Sequence, residues 1–147
     1  MYREIKGDIF KAAKGVALAH CISFDAAMGA GVTKTFRQKY PQMPEYVCHH
    51  VRKVPDVVRY IGPDERVIYN LVTKQYCWQK PRRTEFDKCI DQFAKIANQE
   101  HDIKLCLPLI GAGLDCLAWG ASRKHLKALC NLYDFDMTVC YLQSKPQ

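Results

Sequence analysis

Strand-like and helix-like runs alternate along almost the whole chain, and this alternation restricts the fold more than any other feature. Short apolar or alternating stretches at 2–6, 16–22, 57–61, 66–73, 103–109 and 137–142 have the character of β-strands. Between them, 33–40, 44–52, 84–98 and 121–132 carry helical periodicity. Phe86, Ile90, Phe93 and Ile96-Ala97 recur at turn spacing, and Leu126, Leu129 and Leu132 are expected on one side of the last helix. Pro41 stops the first helix and Pro44 starts the second. A turn at Gly62-Pro63-Asp64-Glu65 separates two neighbouring strands. Strands alternating with helices predict an α/β layered domain whose central sheet is mostly covered by helices.

A chain of 147 residues, 48% hydrophobic and 25% charged, reads as one ordinary soluble domain. We expect the domain at 1–143 and a frayed tail at 144–147. No run approaches the roughly 20 apolar residues of a membrane span. Met1-Tyr2-Arg3-Glu4-Ile5-Lys6 lacks the apolar core of a signal peptide. None of the eight cysteines forms a C-x-x-C pair, and the histidines add no metal-finger spacing. Cys106 and Cys140 instead sit inside apolar patterns, as reduced, buried thiols do. Together these features predict a monomer of the cytoplasm or nucleus without metal or cofactor. The net charge of +7 favours an anionic partner without choosing one.

Glycine and polar residues gather where strands end. Gly7-Asp8 follows the first strand; Ser23 and then Gly29-Ala30-Gly31 follow the second. Thr73-Lys74 closes the fourth, and Gly111-Ala112-Gly113 with Asp115 follows the fifth. Ligands of open α/β sheets bind beyond the carboxyl ends of the strands, so these clusters suggest one site built from several loops. Glycines between a strand and a helix turn tightly and expose N–H groups, which suits phosphate. Asp115 is then either a helix cap or a reactive acid. Strict alternation puts Ile68, Asn70, Val72 and Lys74 on one strand face, which would carry the Lys74 stem into the cleft; otherwise Lys74 is a solvated lysine at a strand end. His20, inside an apolar strand, reads as a core histidine. In 74–83, Lys74, Lys80, Arg82 and Arg83 interleave with Tyr76 and Trp78. That composition suits RNA or another polyanion, or is a solvated basic loop.

Lys6-Gly7-Asp8-Ile9, Leu18-Ala19-His20-Cys21-Ile22-Ser23 and Met28-Gly29-Ala30-Gly31-Val32 resemble the opening of a macrodomain. Asn70-Leu71-Val72-Thr73-Lys74 and Leu107-Pro108-Leu109-Ile110-Gly111-Ala112-Gly113-Leu114-Asp115 are similar to its terminal ADP-ribose protein glycohydrolase branch, also described as O-acyl-ADP-ribose deacylases. The resemblance covers nearly the whole chain, with 40–63 matching poorly. It implies a three-layer α/β sandwich, a mixed central sheet with helices on both faces.

By that resemblance Asp8 accepts from the adenine amine and Ile9 offers a backbone N–H. Gly29, Ala30 and Gly31 lie against the distal ribose and diphosphate, with the positive end of the following helix aimed at the site. Ser23 and Thr73 are wall residues. Gly111, Ala112, Gly113 and Leu114 form a second phosphate loop. Lys74 attacks the anomeric carbon of the distal ribose, and Asp115 moves protons beside it. A lysine with an ordinary pKa costs about 4.6 kcal/mol to keep neutral at pH 7. The resemblance thus implies a hydrolase that removes ADP-ribose from acidic side chains and deacylates O-acyl-ADP-ribose. A non-catalytic ADP-ribose reader and an ADP-ribose 1″-phosphate phosphatase are the alternatives.

Overall fold

The computed structural model describes residues 1–143; the expected tail at 144–147 and the side chain of Leu114 lie outside the described residues. One sheet contains β1 (Tyr2–Lys6), β2 (Ala17–Ser23), β3 (Asp56–Ile61), β4 (Val67–Lys74), β5 (Lys104–Leu107) and β6 (Asp136–Tyr141). Their order across the sheet is β1-β6-β5-β2-β4-β3. Every pairing is parallel except β3 with β4. The exception follows from the turn at 62–65, where Gly62 N–H donates to Arg66 O and Glu65 N–H to Gly62 O: so short a connection can only return antiparallel. The C-terminal ends of the five parallel strands therefore share one edge, where the glycine and polar clusters emerge.

Helices α1 (Gly31–Lys39) and α2 (Met43–His50) cover one face, α3 (Arg83–Gln99) and α4 (Trp119–Tyr133) the other. The two-residue strand period divides the core accordingly. Ala17, Ala19, Tyr69, Leu71, Leu105 and Leu107 pack with Phe86, Ile90, Phe93 and Leu126. Leu18, Ile22, Ile68, Val72 and Val58 pack with Phe36, Met43 and Val47. The result is a mixed sheet between two helical layers.

Every expected strand and helix lies within two residues of its expected bounds. Two details differ. The strand expected at 103–109 is the shorter Lys104–Leu107, because Pro108 has no N–H for the ladder and Ile103 is exposed. Leu132 is 70% exposed, and Cys130 takes the inward position beside Leu126 and Leu129. None of the eight cysteines is in a disulfide. No helix among the described residues is long and apolar enough to cross a membrane.

Glu4 fastens β1 to α4. Its carboxylate accepts from Arg123 Nε at 2.7 Å and Nη2 at 2.8 Å, from Trp119 Nε1 at 3.1 Å and from the Tyr2 hydroxyl at 2.7 Å. The Arg123 hydrogen bonds outweigh burial and draw its pKa from 4.5 to about 2. A carboxylate lowered on folding stabilises the fold above its unfolded pKa, and that contribution is lost as pH falls from about 4.5 towards 2. The shift corresponds to at most about 3.5 kcal/mol. Glu4→Gln is thus expected to lower Tm by roughly 5–10 °C at pH 7. Thermal melts at low pH should show the gap closing, and a gap unchanged near pH 2.5 would remove this role.

Candidate active site

The loop after β2 is held by one acid. Asp25 accepts from the Ser23 hydroxyl and from the N–H groups of Ala27 at 3.4 Å and Cys77 at 3.3 Å. Burial opposes its charge, but these hydrogen bonds prevail and keep its pKa below the ordinary value. Asp25 thereby ties the β2 loop to the segment after β4. Ser23 is buried with its hydroxyl committed to Asp25, so it shapes this loop from within. Gly29, Ala30 and Gly31 are exposed. Ala30 is the N-cap of α1 and provides no side-chain cap, so the first N–H groups of the helix are left for solvent or an anion. Gly31 has φ +59°, and no atom lies within 4 Å of where its Cβ would stand. The space above it is open.

Asp8 is exposed, and its Oδ1 accepts from Phe10 N–H at 2.9 Å, capping the short 3-10 turn Ile9–Lys11. The capping and ligand readings of Asp8 are compatible, since Oδ1 makes the cap and Oδ2 remains. The Ile9 side chain is buried in the α1–α2 layer.

At the end of β4 the alternation breaks. Ile22 pairs with Val72, but Ser23 pairs with Lys74, so Thr73 is an extra residue. Lys74 therefore does not share the Val72 face, contrary to strict alternation. Thr73 is buried, and its Oγ1 has no partner among the described residues. Lys74 Nζ donates to Asp115 Oδ1 at 2.8 Å, and the two side chains are only 14% and 15% exposed. Asp115 closes the 3-10 turn Gly113–Asp115. It is no cap of α4, whose N-cap is Ala118. Gly113 has φ +67° with open space beside it, and Leu114 follows within the same turn. Gly111 is different: a Cβ there would meet Phe86 Cζ at 2.7 Å, so its smallness serves packing rather than ligand approach. Ala112 N–H is spent on Leu109 O.

Cys21 was not anticipated at the site. Its thiol lies close enough to Lys74 and Asp115 to feel both charges, and Gly111 N–H points at its sulfur. Loss of solvent, reinforced by Cys89, keeps it protonated. Asp25 was also missed, although the Ser23-Phe24-Asp25 spacing is that of a local turn. His20 is fully buried and stacks on Phe36 with centroids 3.9 Å apart. Asn70 Nδ2 donates to Val58 O, so its Oδ1 accepts from His20 Nε2 at 2.7 Å. Burial lowers the His20 pKa to about 4, leaving a neutral core ring as expected. In 74–83, Tyr76 and Trp78 are exposed and stack with centroids 5.5 Å apart and planes at 6°.

No family model matches the chain. It is 32% identical over 135 residues to human ADP-ribose glycohydrolase OARD1, spanning 92% of this chain and 88% of that protein. Its fold superposes on the macrodomain of Mycobacterium tuberculosis DarG with TM-score 0.86 and 18% identity, covering 97% of this chain and 99% of that one. The chain is a macrodomain. A third match is Thermosipho africanus DarTG, solved in complex with ADP-ribose, with TM-score 0.81 and 13% identity over 96% of this macrodomain and 42% of that chain. This macrodomain also has a cavity of about 330 Å³ near the N-terminal ends of β2 and β4, lined by Phe10, Tyr40 and Arg66 among others. It lies away from Lys74. Arg66 in its wall is paired with the carbonyls of Ala12, Ala13 and Val16 and Asp64 with the Tyr40 hydroxyl, while Lys39 Nζ lies over the Phe10 ring.

Proposed function

We propose that this macrodomain is an ADP-ribose hydrolase that removes ADP-ribose from glutamate and aspartate side chains of proteins and deacylates O-acyl-ADP-ribose. The relationship to an ADP-ribose glycohydrolase supports the hydrolase class. The observation that carries the finer reading is the Lys74–Asp115 pair, 2.8 Å apart and largely shielded from solvent.

Asp115 stands where it can take the ammonium proton when substrate arrives. The freed amine attacks the anomeric carbon of the distal ribose, and the bond to the protein carboxylate breaks with its electron pair. The glycosylamine opens to a Schiff base on Lys74. Water then adds at the same carbon, its proton passing through Asp115, and the amine departs, leaving ADP-ribose. Asp8 and the Ile9 N–H receive the adenine. The open N–H groups at Gly29-Ala30-Gly31 and Gly113-Leu114 receive the diphosphate, Thr73 lines the wall beside Lys74, and Ser23, Gly111 and Ala112 hold those loops in shape.

Release of ADP-ribose from a glutamate-modified protein, followed with O-acetyl-ADP-ribose as a second substrate, tests this reading. Tight ADP-ribose binding with no release would make the protein a reader instead.

A second contact, with RNA or another polyanion, is supported by the exposed Tyr76–Trp78 stack flanked by Lys80 and Arg82. Affinity for a single-stranded oligonucleotide should then fall steeply with salt. Binding indifferent to ionic strength would exclude it.

A further inference from the structure

Cys106 on β5 and Cys140 on β6 take no part in the proposed chemistry, yet their Sγ atoms are 3.5 Å apart. The two strands are parallel neighbours with Cys106 opposite Thr138, so Cys140 lies one pleat further on the same face. Both thiols sit in the α1–α2 layer, 3% and 7% exposed, within reach of a small oxidant more readily than of a protein thiol. No group of three or more candidate metal ligands occurs among the described residues, so the pair is not part of a metal centre there.

A disulfide has sulfurs about 2.05 Å apart, so closure asks for roughly 1.5 Å of approach, and from this diagonal register it requires the strands to shift as well as the side chains to rotate. The two sulfurs are within hydrogen-bonding distance, and either thiol can donate. The thiol that accepts is the more readily ionised of the two and acts as the nucleophile.

We propose that Cys106 and Cys140 form a reversible dithiol–disulfide site, oxidised by peroxide, whose closure displaces the Asp8 end of the cleft. The thiolate of one cysteine attacks one peroxide oxygen and breaks the O–O bond, giving a sulfenic acid and hydroxide. The sulfur of the other then attacks the sulfenic sulfur and expels its oxygen as water once protonated. The balance is two thiols and one hydrogen peroxide to one disulfide and two waters.

The route to the cleft is short. Cys140 pairs with Ile5 on β1, and Gly7 N–H donates to Tyr141 O at 2.9 Å. Movement of β6 at 140–141 thus reaches Gly7 and Asp8 directly. The Asp8 carboxylate is close enough for its charge to act on both sulfurs. The effect on ligand affinity rests on the reading of Asp8 as an ADP-ribose contact; formation of the bond does not.

The test treats the whole protein with hydrogen peroxide, maps disulfides by non-reducing peptide mass spectrometry, and measures ADP-ribose affinity by calorimetry before treatment, after it, and after dithiothreitol. The expected result is a linked Cys106–Cys140 peptide two hydrogens lighter than its parts. ADP-ribose Kd should rise about tenfold and recover on reduction. Cys140→Ala and Cys106→Ala should keep their affinity through the same treatment; if either fails to fold, the wild-type map still decides. Free Cys106 and Cys140 after oxidation, or linkage elsewhere, would overturn the site. A disulfide with unchanged affinity would overturn its coupling to the cleft. Absence of ADP-ribose binding in the reduced protein would instead count against the functional reading, with the peptide map still judging the thiol pair.

Discussion

Lys74→Ala is expected to lose at least about a thousandfold in kcat on a glutamate-linked ADP-ribosyl substrate while ADP-ribose affinity stays within about tenfold. The two effects should separate because, in the proposed function, loop backbone and Asp8 receive the diphosphate and adenine, whereas the covalent step needs the amine itself. Lys74→Arg should not rescue turnover, since a guanidinium stays protonated and offers no lone pair. Wild-type protein incubated with ADP-ribose should gain the mass of ADP-ribose less one water, through condensation of its aldehyde form with the Lys74 amine. The Ala variant should gain nothing. Full turnover in Lys74→Ala would remove the lysine from the mechanism. Loss of binding together with turnover would mean that the variant has disturbed the cleft rather than the chemistry.

Much of the fold was readable because the strand and helix periods differ and rarely conflict in this chain. Phe86, Ile90, Phe93 and Ala97 fall on the buried side of α3 as their spacing requires, and the glycine clusters emerge at one sheet edge because five strands run parallel. The site was readable only in part. That Lys74 meets Asp115 is a tertiary fact: one ends β4 and the other closes a turn beyond β5, and local rules left Asp115 either a helix cap or a reactive acid. The extra residue at Thr73 is likewise set by pairing between β2 and β4, and period-two reasoning passes straight through it. Ser23 looked available to a ligand because its partner, Asp25, is chosen by loop geometry. Leu132 shows the same limit on a helix: three leucines at spacing three drift round the cylinder, and the third reaches solvent.

The two loop glycines make the sharpest physical contrast, because identical residues in similar backbone conformations face different surroundings. Gly111 has φ +75°, and a Cβ there would approach Phe86 Cζ to 2.7 Å, Phe86 Cε2 to 2.8 Å and Leu117 Cδ1 to 3.2 Å. Phe86 is fully buried in the α3 core and has nowhere to retreat. Gly111→Val is therefore expected to cost about 1–2 kcal/mol for the left-handed backbone and about 1–3 kcal/mol more for overpacking. Gly113 has φ +67° but nothing within 4 Å, so Gly113→Ala should carry only the backbone cost, about 1 kcal/mol. Urea denaturation of Gly111→Ala, Gly111→Val and Gly113→Ala measures the difference. Equal losses for the two alanine variants would show that Phe86 does not set the loop. If Phe86 does set it, the Gly111 variants must also lose kcat, because relief of the clash moves the turn that presents Asp115 to Lys74.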